Sequence, residues 1–268
     1  MPRKEFSKDK RHFYPKQQQN RAPEGLWLYG HHAVMAALGN PHRKVIRAVL
    51  TERAAQEIGA KRLSRVKHDI VDMNAVGRVL PEGAVHQGVA LQCEKLPKRD
   101  LEDVLQSPIR DGLAGGVADR RKIVVVLDQI SDPHNEGAIM RSAAAFGASA
   151  VVVQDRHAPP ESGVLAKAAS GALDTIPYVE VVNISRALDQ LGELGFWRIA
   201  LTGDGEQSLS EATTKGDIAI VLGSEGAGIR RLVREHCDVA AFIPIDANTE
   251  SLNVSNAAAV ALYELRRG

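Results

Sequence analysis

Residues 251–267 read SLNVSNAAAVALYELRR, a stretch that combines two patterns. The second half carries apolar residues at the spacing of one helix face: Ala257, Ala258, Val260, Ala261, Leu262 and Leu265. Four short polar residues crowd the first half: Ser251, Asn253, Ser255 and Asn256. Such side chains accept hydrogen bonds from first-turn amides, but one of them is enough to cap a helix. The stretch therefore predicts a capped helix with polar side chains left over for a ligand.

Short apolar runs alternate with helical stretches through the preceding part of the chain. From residue 123 onward the runs are IVVVL, AVVV, YVEVV, WRIAL, DIAIVL and VAAFIPI. Continuous apolar strands separated by helices are typical of a mostly parallel sheet that is covered on both faces. The sequence therefore predicts an α/β domain over residues 122–268.

The pattern ahead of this domain divides into three parts. Residues 24–96 predict a small α/β unit, with strands over 26–29, 45–50, 68–71 and 89–93 and helices from His31 and over 52–63. Residues 97–121 are charged and contain DGLAGGVADRR, which is typical of a flexible linker, with a short helix over 101–106. Residues 1–23 are rich in Lys, Arg, Gln and Pro and predict a disordered basic tail.

Composition narrows the class of protein. The chain has no apolar run long enough to span a membrane and no secretory signal, and Cys93 and Cys237 fit no metal-ligand spacing, so we expect a cytoplasmic protein without a metal site. The net charge is only +1. The tail holds seven Lys and Arg against two acids, so the other residues sum to −4. Any basic surface for nucleic acid must therefore be local.

Three blocks carry a family resemblance. Residues 127–153 read LDQISDPHNEGAIMRSAAAFGASAVVV, and residues 218–245 read IAIVLGSEGAGIRRLVREHCDVAAFIPI. Together with 251–267 they resemble, in order, the three motifs of the SpoU (TrmH-type) RNA 2'-O-ribose methyltransferases. EGLWLYGHHAVMAAL (24–38) and AVHQGVAL (84–91) are similar to the substrate-binding domain of the ribosomal-RNA branch, which resembles ribosomal-protein-type RNA binders.

The resemblance implies a fold and a cofactor. The C-terminal domain is expected to be a SPOUT trefoil-knot domain whose knot loops bind S-adenosyl-L-methionine, and two such domains are expected to form a homodimer. Glycines suit these loops because they allow close backbone approach, and apolar side chains can sandwich an adenine ring. The implied cofactor residues are Thr202, Gly203, Gly223, Gly226, Ile243, Pro244, Ser251, Leu252 and Val254.

The implied catalytic residues are Asn135, Arg141, Glu225, Ser251 and Asn253. A guanidinium stays protonated in proteins, so we expect Arg141 to hold RNA oxygens and stabilise negative charge rather than act as a base. The small, apolar neighbours of Glu225 predict a buried carboxylate that organises Arg141 or the pocket loops. Ser251 and Asn253 are expected to hold the target nucleotide and Arg141.

Several alternatives remain open on the sequence alone. The expected substrate is a guanosine of 23S ribosomal RNA; a tRNA ribose and a non-catalytic role in RNA binding or ribosome assembly are the alternatives. TGDGEQS (202–208) starts a dinucleotide-binding fingerprint but lacks its last glycine, so an ordinary Rossmann enzyme is disfavoured. Arg230, Arg231 and Arg234 crowd one helix start and could meet phosphate.

Overall fold

The computed structural model describes residues 25–106, 121–214 and 216–267. The predicted basic tail and most of the Gly-rich linker segment lie outside these ranges. The short helix predicted before that segment is present as Leu101–Gln106.

The N-terminal unit is built on a four-stranded sheet. Its strands are β1 (Leu26–Tyr29), β2 (Val45–Leu50), β3 (His68–Ile70) and β4 (Val89–Cys93), in the order β1-β4-β2-β3. Strand β4 runs antiparallel to β1 and β2, whereas β2 and β3 are parallel. The connecting helices are α1 (His31–Gly39), α2 (Glu52–Ile58), α3 (Ala60–Leu63) and α4 (Met73–Arg78). The four predicted strands are thus confirmed.

One helix prediction in this unit was wrong in detail, and one helix was missed. The single helix predicted over 52–63 is interrupted at Gly59, which has φ of +86° and ends α2 before α3 begins. A residue with positive φ cannot continue a right-handed helix, and glycine adopts it without strain. Helix α4 was not predicted; its N-cap is Asp72, whose carboxylate accepts a hydrogen bond of 2.8 Å from the Ala75 amide.

The C-terminal unit contains seven strands. They are β5 (Ile123–Asp128), β6 (Ala150–Gln154), β7 (Tyr178–Val181), β8 (Trp197–Leu201), β9 (Gln207–Ser208), β10 (Ile218–Gly223) and β11 (Val239–Phe242). The helices are α5 (Leu101–Gln106), α6 (Pro133–Ala145), α7 (Gly163–Ala169), α8 (Ile184–Glu193), α9 (Leu209–Ala212), α10 (Arg231–Glu235) and α11 (Val254–Arg267), with a 3₁₀ helix at Ala172–Asp174.

These strands form one parallel sheet in the order β7-β6-β5-β10-β8-β11-β9. Every residue of β5 is buried, and buried side chains from helices pack on both faces of the sheet. The predicted parallel sheet with two covered faces is confirmed. Since parallel strands end at the same edge, the loops after β5, β8, β10 and β11 meet there.

Helix α11 closes one face of this sheet. Its buried residues are Val254, Ala258, Ala261, Leu262 and Leu265. Val260, predicted on the apolar face, is 45% exposed, and Tyr263 beside it is 55% exposed. The helical period of 3.6 residues places position 260 opposite the buried row through 258 and 265. The exposed pair therefore forms a second apolar strip on α11.

Candidate functional site

A pocket of about 830 Å³ opens at the edge of the sheet where the strands end. Its walls come from the loops after β8, β10 and β11 and from the first turn of α11. Every residue predicted to hold a cofactor lines this pocket except Pro244, whose neighbours Ile243 and Ile245 do. Three segments that are far apart in sequence thus form one cavity.

The pocket leaves room at two of its glycines and is tightly packed at a third. A Cβ atom at Gly203 or at Gly226 would meet no protein atom within 4 Å, and Gly226 has φ of +81°. At Gly223 a Cβ would instead lie 2.2 Å from the carbonyl carbon of Gly228, because the loop folds back on itself there. The walls between these backbone segments are apolar: Leu201, Leu222, Ile243, Leu252 and Val254. An aromatic ring bounded by backbone and aliphatic groups suits such a cavity.

Three polar side chains meet beside the pocket, and we call Asn135, Glu225 and Asn253 the polar cluster. Nδ2 of Asn253 donates to Oε1 of Glu225 over 2.5 Å and to Oδ1 of Asn135 over 3.1 Å. Nδ2 of Asn135 donates to the same Glu225 oxygen over 3.2 Å. The three predicted catalytic residues belong to α6, the loop after β10 and the start of α11. The cluster therefore joins all three sequence blocks.

Asn253 has a second role at the start of α11. Its Oδ1 accepts hydrogen bonds from the amide of Ser255 at 2.9 Å, from the amide of Asn256 at 3.4 Å and from the Ser255 hydroxyl at 2.6 Å. These are the contacts of a helix N-cap. The surplus of polar residues in this stretch is explained in part, because one side chain caps the helix and joins the polar cluster. Ser251 is exposed and lines the pocket.

The expected burial of Glu225 was wrong. The residue is exposed, as are Gly226, Ala227 and Gly228 after it. Its small neighbours form a pocket rim rather than a core, and small residues are as common in such turns as in interiors. The expectation that its carboxylate is hydrogen-bonded is met by the two asparagine amides.

Arg141 forms no hydrogen bond with the polar cluster among the described residues. Its side chain is on the exposed face of α6 and does not line the pocket. Within residues 25–106, 121–214 and 216–267 it forms no hydrogen bond or ion pair. The expected contacts of Glu225, Ser251 and Asn253 with Arg141 are therefore not formed in this structure. Its guanidinium is available to an external anion.

Asp128, at the end of β5, is a buried and hydrogen-bonded acid that the sequence interpretation missed. The carboxylate is fully buried and accepts from Nε of Arg230 at 2.8 Å, from its Nη2 at 2.5 Å and from its backbone amide at 2.9 Å. Arg230 Nη2 also donates to Gln154 over 2.8 Å. An acid ending an apolar strand was the available signal. Arg230 ties the loop after β10 to β5, and its contact with phosphate stays a prediction.

Arg234 also has a protein partner. Its Nη1 donates to Asp204 over 2.8 Å at the rim of the pocket. The Thr202 hydroxyl donates to the same carboxylate over 2.5 Å. These two hydrogen bonds, the Thr202 one first, hold the pKa of Asp204 below its usual value. The Arg234–Asp204 pair thus lies at the rim of the pocket, whereas Arg230 and Asp128 do not line it.

Glu136 is buried next to Asn135 in the first turn of α6. Its Oε1 accepts a hydrogen bond of 2.7 Å from the hydroxyl of Tyr178, and its Oε2 has no partner among the described residues. Burial raises the pKa of Glu136 to about 7; the Tyr178 hydrogen bond opposes this rise and the charge of Glu180 adds to it. A carboxyl group that is neutral near pH 7 satisfies such a site better than a carboxylate.

Over residues 25–106, 121–214 and 216–267, no three His, Cys, Asp or Glu side chains lie close enough to bind a metal ion. Within the same ranges, no helix has both the length and the apolar character needed to cross a membrane.

Comparisons with known proteins identify both units. Residues 122–263 match the model of the SpoU rRNA Methylase family, and residues 27–99 match that of RNA 2'-O ribose methyltransferase substrate binding. The 23S rRNA (guanosine-2'-O-)-methyltransferase RlmB of Coxiella burnetii is 35% identical over 243 residues, covering 90% of this chain and 94% of that protein. An uncharacterized tRNA/rRNA methyltransferase of Synechocystis is 36% identical over 265 residues, covering 94% of this chain and 65% of that protein.

A solved structure confirms the fold. The SpoU methyltransferase AviRb of Streptomyces viridochromogenes, crystallised with the cofactor AdoMet, superposes with a TM-score of 0.73. The match covers 90% of this chain and 89% of that one, at 22% sequence identity. The predicted combination of a mostly parallel α/β domain with a small N-terminal α/β domain is therefore correct.

Proposed function

Since the chain belongs to the SpoU rRNA methylase family, we propose that it transfers a methyl group from S-adenosyl-L-methionine to a ribose 2'-hydroxyl of RNA. The substrate we propose is a guanosine of 23S ribosomal RNA, the class of reaction named for RlmB of Coxiella burnetii. The observation that carries the proposal is the polar cluster at the mouth of the glycine-lined pocket. A ribosomal RNA substrate would place the reaction in the cytoplasm.

The pocket residues fit this cofactor. S-adenosyl-L-methionine supplies a methyl group on a sulfonium, which is a good leaving group. Ile243, Leu252 and Val254 offer aliphatic faces for an adenine ring, and the backbone of residues 223–228 offers amides and carbonyls to its edge. The carboxylate of Glu225 lies at the same wall, where negative charge favours a cationic ligand.

The polar cluster suits a positioning role. Methyl transfer needs the hydroxyl oxygen in line with the bond that breaks, and orientation of this kind contributes much of the rate in such reactions. Oε1 of Glu225 already accepts two hydrogen bonds, so we assign its carboxylate to holding the two asparagine amides. The proton of the ribose hydroxyl would then pass to a phosphate oxygen of the RNA. Asn135 and Asn253 thereby keep fixed orientations toward a ribose.

We assign Arg141 to the RNA. Its guanidinium is exposed, is on the same helix as Asn135 and has no partner among the described residues. A permanently charged, planar group binds phosphate oxygens with two hydrogen bonds and stabilises negative charge that develops on the ribose oxygen. Arg141 would therefore become ordered when RNA arrives.

The same proposal includes the quaternary state and the topology. We propose a homodimer in which the exposed strip of Val260 and Tyr263 on α11 faces the partner, since two large apolar side chains on one helix are otherwise in water. We also propose that the segment from β11 to α11 passes through the loops beside it as a trefoil knot. Sedimentation of wild type and of Tyr263→Glu tests the dimer, because a dimer that survives this charge would not use α11.

One assay tests the proposed reaction. The full chain is incubated with tritiated S-adenosyl-L-methionine and unmodified 23S ribosomal RNA or tRNA, and the label is mapped as 2'-O-methyl by nuclease resistance. We expect label at a single guanosine of the ribosomal RNA. Label only in tRNA, or cofactor binding without transfer to either RNA, would overturn the substrate assignment. Failure to bind the cofactor would overturn the reaction itself.

A further inference from the structure

One arginine of the N-terminal unit is buried in the C-terminal unit. Arg43 lies between α1 and β2, and its side chain is fully buried. Nε donates to Oδ1 of Asp174 over 2.8 Å and Nη2 donates to Oδ2 over 3.1 Å, so the guanidinium holds this carboxylate with both prongs. Nη1 donates to Glu161 and, over 3.1 Å, to the carbonyl of Glu94. Both carboxylates belong to the C-terminal unit.

The two carboxylates that bind Arg43 are buried along with it. The side chain of Asp174 is 1% exposed and that of Glu161 is 10% exposed. Burial lowers the pKa of Arg43, but the hydrogen bonds and charges of Asp174 and Glu161 more than offset this and the pKa is raised. A buried charge without its partner is strongly unfavourable, so the three side chains separate only at a large cost.

Close backbone contacts surround the ion cluster. A Cβ at Gly163, the first residue of α7, would lie 2.4 Å from the carbonyl oxygen of Trp27. At Gly171 a Cβ would lie 2.9 Å from Cβ of Ala36 and 3.0 Å from the carbonyl oxygen of His32. Helix α7 and the 3₁₀ helix therefore touch β1 and α1 at two points with no space for a side chain between them. This is the packing of an interior rather than of a hinge.

The chain that leaves the N-terminal unit is held at the same place. The amide of Leu96 donates to Oε2 of Glu161 over 3.1 Å, so Glu161 binds both Arg43 and the start of the connection. The C-terminal side of the contact continues to the polar cluster, because α7 packs against α6 so closely that a Cβ at Gly137 would lie 2.5 Å from that of Ala168. Gly137 is in the first turns of α6, near Asn135.

We propose that Arg43 is a positioning residue that locks the substrate-binding unit at one fixed angle to the methyl-transfer pocket, so that RNA meets a single preset surface. The fixed orientation of the two units is independent of the proposed function, whereas its effect on RNA binding rests on that function. A preset surface avoids the entropic cost of ordering two mobile units around one ligand. Loss of the lock should therefore weaken RNA recognition while the pocket itself stays intact.

Arg43→Met tests this proposal, because methionine fills part of the volume without charge. Arg198→Met is the matched control, since Arg198 holds Asp238 with two prongs at 2.9 and 2.6 Å inside the C-terminal unit. Spin labels are placed on Glu82→Cys and Glu193→Cys, two exposed positions in different units, with Cys237→Ser to remove the partly exposed native thiol. The labelled protein is mixed with an excess of unlabelled protein, so that the two labels of one protomer dominate, and the distance between them is measured by double electron–electron resonance.

We expect one narrow distance distribution in the wild type and in Arg198→Met, and a broad one in Arg43→Met. Arg43→Lys keeps the positive charge but cannot make the two parallel hydrogen bonds to Asp174. It should give a distance distribution of intermediate width, and it serves as the test if Arg43→Met does not fold. In methyl transfer, KM for RNA should rise about tenfold in Arg43→Met with cofactor affinity and kcat kept, as expected for lost preorganisation. A merely destabilised protein would lose kcat instead.

A narrow distribution in Arg43→Met, or a broad one in the wild type, would overturn the lock. Absence of methyl transfer in every variant would refute the proposed function and leave the distance measurement to decide the lock. An unchanged KM alongside a broadened distribution would overturn the proposed consequence for RNA.

Discussion

Nδ2 of Asn253 donates to Oε1 of Glu225 over 2.5 Å while Oδ1 of the same side chain caps α11. Asn253→Asp separates these two functions, because aspartate caps a helix as well as asparagine does but places a carboxylate against that of Glu225. We expect kcat/KM to fall about 100-fold, the scale of lost positioning, with less than about 1 kcal/mol change in the free energy of unfolding.

The double variant Asn253→Asp/Glu225→Gln is the control for that prediction. The glutamine amide can donate to the new carboxylate, which restores the hydrogen bond with reversed polarity. Activity should recover about tenfold relative to Asn253→Asp, a difference of roughly 1.4 kcal/mol. The coupling energy then follows from the full cycle with Glu225→Gln alone. If the free-energy loss in the double variant equalled the sum of the losses in the two single variants, the pair would not act as a unit.

Arg141→Ala should lower kcat for methyl transfer about 100- to 1,000-fold. This is the usual effect of removing one donor that stabilises charge in the transition state. Cofactor affinity should stay within about twofold because Arg141 does not line the pocket. Its charge is expected to act on the transition state rather than on the bound cofactor. Isothermal titration and steady-state kinetics measure the two quantities. Arg186→Ala, an exposed arginine on α8, is the control and should keep full activity. Retained turnover in Arg141→Ala would remove its assigned role.

Gly203→Ala should weaken cofactor binding about tenfold by occupying space that a ligand needs, although the new methyl group meets no protein atom within 4 Å. The melting temperature of the free protein should not change. Gly39→Ala adds a methyl group in equally open space on α1 and should leave the affinity unchanged. Equal affinities in both variants would show that the cofactor does not approach Gly203.

Stability should depend on pH through Glu136. Its pKa is about 7 in the folded protein and 4.5 ordinarily, so the folded state retains a proton that the unfolded state has lost between these values. The free energy of unfolding should therefore fall as pH rises from 4.5 through 7, by roughly 3 kcal/mol in total from this group. Glu136→Gln should remove that fall.

Chemical denaturation at pH 5 and pH 8.5 makes the comparison. Glu136→Gln should match the wild type at pH 5 and be more stable at pH 8.5, because the amide oxygen still accepts from Tyr178 and no charge is buried. The exposed Glu193→Gln controls for loss of one negative charge. A glutamine variant less stable than the wild type at pH 8.5 would contradict the assignment.

Local pattern predicted the strands and the parallel sheet, whereas the pocket residues were implied by the family resemblance. Apolar runs and glycine turns are read along the chain, so IVVVL and AVVV mark β5 and β6 without further information. The polar cluster was reachable only through its family resemblance, because Asn135, Glu225 and Asn253 have no local pattern in common. Their hydrogen bonds depend on how three loops meet.

The remaining features depend on burial that no single segment reveals. Glu225 and Glu136 both stand among small residues, yet the first is exposed and the second fully buried. Glu136 is buried because it lies on the face of α6 that packs on the neighbouring elements. Glu225 is exposed because the loop after β10 is open to solvent. Arg43 likewise reads as a surface charge until the fold brings Asp174 and Glu161 to it.

The double use of Asn253 has a consequence for dynamics. Fraying of the first turn of α11 releases the amides of Ser255 and Asn256 and, in the same motion, dismantles the contacts with Glu225 and Asn135. Opening of the helix end and loss of the reactive arrangement are thus one event. The hydrogen-exchange rates of those two amides therefore report, residue by residue, the fraction of time that the site spends assembled.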